Sequence, residues 1–240
     1  MKKIMLAAAL LCSVSVFAQL NWLPVQGNGH VKKETRDVGS FKKLHSSGSW
    51  DVMIAYGSKN TVEVEGDENL LEYIETKVED GELRIKAAKR GNLRSRNKIT
   101  IYVTMNTVNG IALSGSGDII GNGNFSAEGT TQVKISGSGN IRFQFKRFGD
   151  VTAAVSGSGN LQLKGNAQSC DAQVSGSGDI DAGELFCEAA KARVSGSGNI
   201  RVNTSRSLEA RISGSGNIYY KGGAGDITAK SSGSGKVIKG

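Results

Sequence analysis

The tetrapeptide Ser-Gly-Ser-Gly begins at Ser114, Ser136, Ser156, Ser175, Ser195, Ser213 and Ser232, at spacings of 22, 20, 19, 20, 18 and 19 residues. Self-similarity at such a period marks a repeat architecture, because a unit of this length cannot bury an apolar face alone. The following residue is Asp118, Asn140, Asn160, Asp179, Asn199 and Asn217, with Lys236 breaking the series. A β-forming aliphatic comes next each time: Ile119, Ile141, Leu161, Ile180, Ile200, Ile218 and Val237.

Register around the motif is equally regular. One residue before it stand Leu113, Ile135, Val155, Val174, Val194, Ile212 and Ser231. Three before it stand Ile111, Val133, Ala153, Ala172, Ala192, Ala210 and Ala229, with mostly polar residues between. This period-two alternation predicts one strand ending at each motif and another starting after the Asx. The chain is therefore expected to be all-β, a right-handed parallel β-helix or solenoid with tight Ser-Gly-Ser-Gly-Asx turns about every 20 residues. A meander of hairpins in a sandwich or barrel would also fit 20 residues, but it does not need near-identical residues at matching positions. Gly115, Gly137, Gly157, Gly176, Gly196, Gly214 and Gly233 are expected at the turns, where positive φ favours glycine. The alanine column predicts a narrow waist.

Residues 1–18 read as a signal peptide: Lys2 and Lys3, an apolar run from Ile4 to Phe17, and a small-x-small end at Val16-Phe17-Ala18. The run is short for a membrane anchor, and Cys12 lacks the small residues that precede a lipidated cysteine. Residues 19–36 read as a flexible leader and 37–240 as one β-solenoid domain, with 37–113 as irregular N-terminal coils or cap and 114–240 as regular repeats. Within the irregular part, Ser47-Gly48-Ser49-Trp50-Asp51 is a degenerate motif with Trp50 at the last glycine, and Asp80-Gly81 is a turn signal.

The formal charge of +8 falls to +6 without Lys2 and Lys3. The remaining bases are scattered among acids, which argues against nucleic acid, as does export. No second apolar segment suggests an integral membrane protein.

Candidate chemistry is sparse. The repeated motif lacks the Gly-Lys-Ser/Thr of a phosphate loop, and only His30 and His45 could back a nucleophilic serine. The Asx column offers few carboxylates for a hard cation, so a stacked Asx turn ladder is expected and no metal or cofactor. Export would expose Cys170 and Cys187 to an oxidising compartment where a disulfide can form, but Cys170 falls in a core column and Cys187 outside it, which favours two unrelated thiols over a bridge. Tyr219 takes an outward parity, and Phe145 and Phe148 flank Lys146 and Arg147. These aromatics beside cations are the sequence's candidates for a ligand surface.

The opening from Phe41 to Ile54, the run Glu65-Gly66-Asp67-Glu68-Asn69-Leu70-Leu71, the run Val78 to Leu83 and the Ser-Gly-Ser-Gly-Asx turns resemble the bacterial putative auto-transporter adhesin, head GIN domain family. The resemblance spans Val38 to Val237. It implies an exported β-helix related in shape to pectin-lyase-like folds, with no recognised catalytic set. The expected function is a non-catalytic adhesion or binding module in the periplasm, on the outer cell surface or outside the cell. Its partner would be a glycan or protein, and a homo-oligomer is compatible with it. The competing readings are a polysaccharide lyase-like, glycan-active enzyme and a periplasmic structural protein.

Overall fold

A computed structural model describes residues 24–88 and 92–240; the signal-peptide expectation for 1–18 lies outside them. The N-terminal part holds β1 (Val25–Gln26), β2 (Val31–Arg36), β3 (Lys43–Ser47), β4 (Asp51–Tyr56) and β5 (Thr61–Asp67). A 3-10 turn over Glu68–Tyr73 leads to β6 (Ile74–Glu79), β7 (Glu82–Ala87), β8 (Leu93–Arg94) and β9 (Thr100–Met105). The repeats begin with β10 (Gly110–Leu113), β11 (Ile119–Asn122), β12 (Thr131–Ile135), β13 (Ile141–Gln144) and β14 (Asp150–Val155). They continue through the long strands β15 (Leu161–Val174), β16 (Ile180–Val194) and β17 (Ile200–Gly214) to β18 (Ile218–Lys221), β19 (Asp226–Gly233) and β20 (Val237–Lys239).

The pairing is that of a stacked-coil solenoid. Strands ending at the motif form one parallel stack: β3, β10, β12, β14, the second halves of β15, β16 and β17, and β19. Strands starting after it form another: β4, β11, β13, the first halves of β15, β16 and β17, then β18 and β20. Matching repeat positions are register partners, as in Val155, Val174, Val194 and Ile212. A hairpin meander would have produced antiparallel pairs here instead.

The motif's chemistry differs in one respect from the turn argument. Gly157, Gly196 and Gly214 have φ near +150° and Gly233 has φ +129°, but Gly115, Gly137 and Gly176 are not among the positive-φ residues. What all seven share is close stacking. A Cβ on Gly176 would collide with the carbonyl oxygen of Gly157, one on Gly157 with that of Gly137, and so along the column. The second glycine of each motif is packed in the same way, Gly178 onto Gly159 and Gly198 onto Gly178. Backbone lies on backbone, leaving no volume for a side chain.

The Asx column is explained by hydrogen bonding rather than by left-handed backbone, since Asp80 is the one non-glycine with positive φ among the described residues. In two runs, separated between Asn160 and Asp179, an Asx side-chain oxygen accepts the backbone N–H of its counterpart in the next coil. The bonds run from Asp118 to Asp51 (3.1 Å), Asn140 to Asp118 (3.2 Å) and Asn160 to Asn140 (3.2 Å). A second run joins Asn199 to Asp179 (2.6 Å), Asn217 to Asn199 (3.0 Å) and Lys236 to Asn217 (3.0 Å). Only an acceptor is required, so Asp serves as well as Asn. Lys236, whose side chain has no acceptor, supplies only its N–H.

The degenerate motif is in register with the true ones, because Ser46 pairs with Leu113 and Ser116 donates to the Gly48 carbonyl. Ser46 thus occupies an aliphatic column and is fully buried. The Trp50 indole, also buried, folds over Gly48 and donates its Nε1–H to Ser46 Oγ at 3.0 Å. The two departures from the repeat satisfy each other.

At the N-terminal end the chain doubles back. β7 and β9 pair on the outer sides of β3 and β4, so the first coil in sequence lies inside the stack. Antiparallel strands then cover this end: β6 on β7, β5 on β9 and β2 on β5. Asp80 and Gly81, both at positive φ, form the β6–β7 hairpin. Residues 24–36 are therefore not a flexible leader but part of the cap. β2 lacks clean alternation because it is a charged edge strand, carrying pairs such as Lys32–Glu68 (3.0 Å) and Arg36–Glu34 (3.1 Å).

One continuous core runs along the coils. Ala153, Ala172, Ala192 and Ala210 are wholly buried, while Arg193 points outward to Asp171 at 2.9 Å. Ala192→Leu is expected to lower unfolding free energy by about 1–3 kcal/mol through overpacking. Arg193→Leu, which removes the half-buried surface pairs with Asp171 and Glu209, should cost less than about 1 kcal/mol. Urea titration of both variants checks this, and the opposite ranking would mean the inward and outward positions are exchanged.

Candidate functional site

Phe145 and Phe148 do not form a ligand surface. Both are buried, and their rings stack at 3.9 Å and 8°. They continue an internal aromatic row through Phe143 and Phe125, whose rings stack at 4.8 Å. Gly121 makes room for the Phe143 ring, against which any Cβ would fall. In this long connection the coil corner needs filling, and burying two rings removes more apolar area from water than exposing them would.

A different phenylalanine shares a concavity with the two cations. The segment linking the second stack to the first is itself paired in the later coils: Asn166, Phe186 and Asn203 are register partners, as are Ala167, Cys187 and Thr204. The latter file faces inward, which turns Phe186 outward at 59% exposure. Phe186 lies in an open concavity of about 530 Å³ whose other polar lining includes Lys146, Arg147, Asn166, Glu188 and Asn203. Asn166 Nδ2 donates to the Lys146 carbonyl at 3.0 Å, and Asn203 Nδ2 to the Gly183 carbonyl at 3.3 Å. Sequence parity over Leu185-Phe186-Cys187 carried the signal for Phe186, but no repeat column passes through it.

Tyr219 is half-buried on the outer face of the second stack, away from Phe145 and Phe148. Its file runs through register partners Arg142, Gln162, Asp181, Arg201, Tyr219 and Ile238. The Arg201 guanidinium sits over the Tyr219 ring at 5.2 Å. Asp181 Oδ1 accepts the Gly183 N–H at 3.0 Å, and Arg142 reaches Asp118 at 3.3 Å. A shallow groove of about 480 Å³ passes Asp181, Glu184, Arg201, Tyr219 and Lys221, and a neighbouring depression of about 250 Å³ shares Asp181 and Arg201. On the outer face of the first stack Arg193 pairs with Asp171 and Arg211 with Glu209, both at 2.9 Å.

The motif serines are exposed along the coil edge. Ser114 Oγ alone meets a histidine, His45 Nε2 at 2.8 Å, with Ser47 Oγ also near that nitrogen at 3.4 Å. Among the described residues no carboxylate bonds to His45, so the orienting third member of a nucleophilic triad is missing from this pair. Cys170 and Cys187 are both free and buried. Burial pushes the Cys187 thiol up to about 11 despite the neighbouring Thr204 hydroxyl, and its Sγ–H donates to the Asn203 carbonyl at 3.2 Å. Neither thiol is a nucleophile at neutral pH. Among the described residues no group of His, Cys, Asp and Glu has the geometry to hold a metal ion, and no helix is long and apolar enough to cross a membrane.

Comparison with known proteins agrees with this architecture. The model of a family described as putative auto-transporter adhesin, head GIN domain, matches residues 40–224. A putative adhesin from Bacteroides fragilis is 25% identical, with a TM-score of 0.76 over 90% of this chain and 99% of that one. A putative lipid binding protein from Parabacteroides distasonis, 24% identical, reaches 0.72 over 91% and 100%. A putative adhesin from Parabacteroides merdae, 23% identical, reaches 0.65 over 90% and 98%. The latter two likenesses establish the shared fold. No protein of curated function matches the chain.

Proposed function

Because the chain belongs to the putative auto-transporter adhesin, head GIN domain family, we propose that it is an exported, non-catalytic adhesion module acting in the periplasm, on the outer surface or outside the cell. It holds a glycan or protein partner on its solenoid faces. The observation that carries this reading is the file Arg142, Gln162, Asp181, Arg201 and Tyr219, which presents planar polar and aromatic groups at the coil spacing. Strand-paired coils keep such a file rigid without a ligand, so little ordering entropy is lost on binding. Individually weak contacts then add across the face, and across copies held on a surface.

Catalysis would require acid, base and nucleophile converging in one pocket, whereas the groups of this file are spread over successive coils. Immobilised glycans and matrix proteins should retain the protein more strongly when it is arrayed than when it is free. The double variant Tyr219→Ala/Arg201→Ala should lower retention about tenfold while leaving the melting temperature unchanged, which corresponds to losing ~1.4 kcal/mol of contact. Saturable turnover of a polysaccharide, abolished by a single acidic or basic substitution, would overturn the reading in favour of a glycan-active enzyme.

A further inference from the structure

The concavity around Phe186 is lined by none of the residues of the Tyr219 groove, and its chemistry is more selective. Phe186 is the most exposed of the large hydrophobics among the described residues. An isolated ring held outward on a paired strand, with amides in register on both sides, is not explained by packing: Leu185 and Cys187 already fill the interior beneath it. Two cations line the same concavity. The ion pairs of the surrounding coils are Arg142–Asp118, Lys164–Glu184, Arg193–Asp171, Arg193–Glu209 and Arg211–Glu209, and Lys146 and Arg147 enter none of them. Glu188 is the one carboxylate of the lining.

We propose that this concavity binds an anionic pyranose unit of a glycan. The apolar face of the sugar ring lies on Phe186, its hydroxyls meet the Asn166 amide and the Ser205 hydroxyl, and its acidic group is held by Arg147 and Lys146. The separate features require this combination. A flat aromatic face accepts the C–H face of a pyranose through its quadrupole and by burial of apolar area. Arginine matches a carboxylate or sulfate bidentately, and lysine adds a point charge. Asn offers both a donor and an acceptor, matching vicinal hydroxyls. A protein partner would call for a broader apolar centre than one ring ringed by polar groups. A nucleic acid would need cations extended along a backbone rather than gathered at one concavity.

The inference rests on the adhesion reading only for the source of the ligand, a polymer outside the cytoplasm; the site itself stands on its own geometry. Calorimetric titration of the mature protein in solution tests it, using tetragalacturonate, a sulfated galactan tetrasaccharide and uncharged galactotetraose. At least one acidic probe is expected to bind ten times or more tightly than the neutral one, with affinity falling as salt is raised. Which acidic probe binds distinguishes carboxylate from sulfate as the recognised group. Phe186→Ala should weaken that binding at least tenfold. Lys146→Ala/Arg147→Ala should bring acidic and neutral probes to equal affinity. All three positions are exposed, so unchanged melting temperatures will verify that the variants fold. Equal binding of acidic and neutral probes by the parent, no binding of either acidic probe at millimolar concentration, or acidic binding untouched by Phe186→Ala would overturn the assignment. The Tyr219→Ala/Arg201→Ala variant separates the two readings: it should lose surface retention yet bind the acidic tetrasaccharide as the parent does.

Discussion

Gly176→Ala is expected to destabilise the protein by about 3 kcal/mol or more, at the upper end of overpacking costs, although alanine is ordinarily the better residue by roughly 0.5–1 kcal/mol in a regular element. The new methyl would fall on the carbonyl of Gly157, which also accepts hydrogen bonds from Ser177 and Gly178 at 3.0 Å each. A flexible side chain could swing aside; stacked backbone cannot, so the clash can be relieved only by separating two coils and stretching those bonds. The neighbouring Ser175→Ala, at an exposed position, should stay within about 0.5 kcal/mol of the parent. Urea midpoints of the two variants provide the measurement. A Gly176→Ala protein as stable as its parent would show that the coils stand further apart at the motif than described.

The second large effect concerns Asp67, a fully buried carboxylate in the N-terminal cap. Its oxygens accept the Gly29 N–H (3.1 Å), the Arg96 N–H (2.6 Å), the Asn97 N–H (3.2 Å) and the Asn97 Nδ2 (2.6 Å). Burial alone would push this carboxyl up, but the donors from the Asn97 side chain and from the Arg96, Asn97 and Gly29 backbone outweigh it. They hold Asp67 below its ordinary value of 3.8. A carboxyl depressed in the folded state stabilises the fold at every pH above its unfolded value. That contribution shrinks as pH falls below about 3.8 and is gone once the folded carboxyl is protonated. Asp67→Asn should cost about 2–4 kcal/mol at neutral pH, since an amide turns one acceptor into a donor facing other donors and gives up the charge-assisted bonds. The variant should also lose part of the parent's acid-induced decline in stability. Thermal melts from pH 7 to pH 2.5 test both points, and parallel pH profiles for parent and variant would rule out Asp67 as the source. Because Asp67 ties the loop at 27–29 to that at 96–97, limited proteolysis of Asp67→Asn is expected to cut first near Gly29.

The columns were legible in the chain itself because a stacked fold repeats its demands. Each coil needs an aliphatic at Val155, Val174 and Val194, a side-chain-free residue at Gly157 and Gly176, and an acceptor at Asn140 and Asn199, so periodicity alone reveals all three. The inward parity of Ala172 and Ala192 followed from the same alternation. What periodicity did not reveal was the cause: glycine recurs because a neighbouring carbonyl occupies its Cβ volume, and Asx because its side chain accepts the next coil's N–H. Both are contacts between residues about 20 apart, invisible to local turn chemistry.

Where the repeat lapses, only tertiary structure decided the outcome. Phe145 and Phe148 sit in a connection with no in-phase counterpart, and the space inside the coil corner turned them inward. Phe186 was turned outward by the burial of Leu185 and Cys187 on either side of it. The doubling back of β7 and β9, and the capture of residues 24–36 by β5 and Asp67, rest on long-range pairing and on one buried carboxylate. Sequence determined this protein's repeating body, since each coil presents its neighbour with the same surface. The cap and the outward-facing side chains were settled by what lay across the fold, where each residue met a partner found nowhere else in the chain.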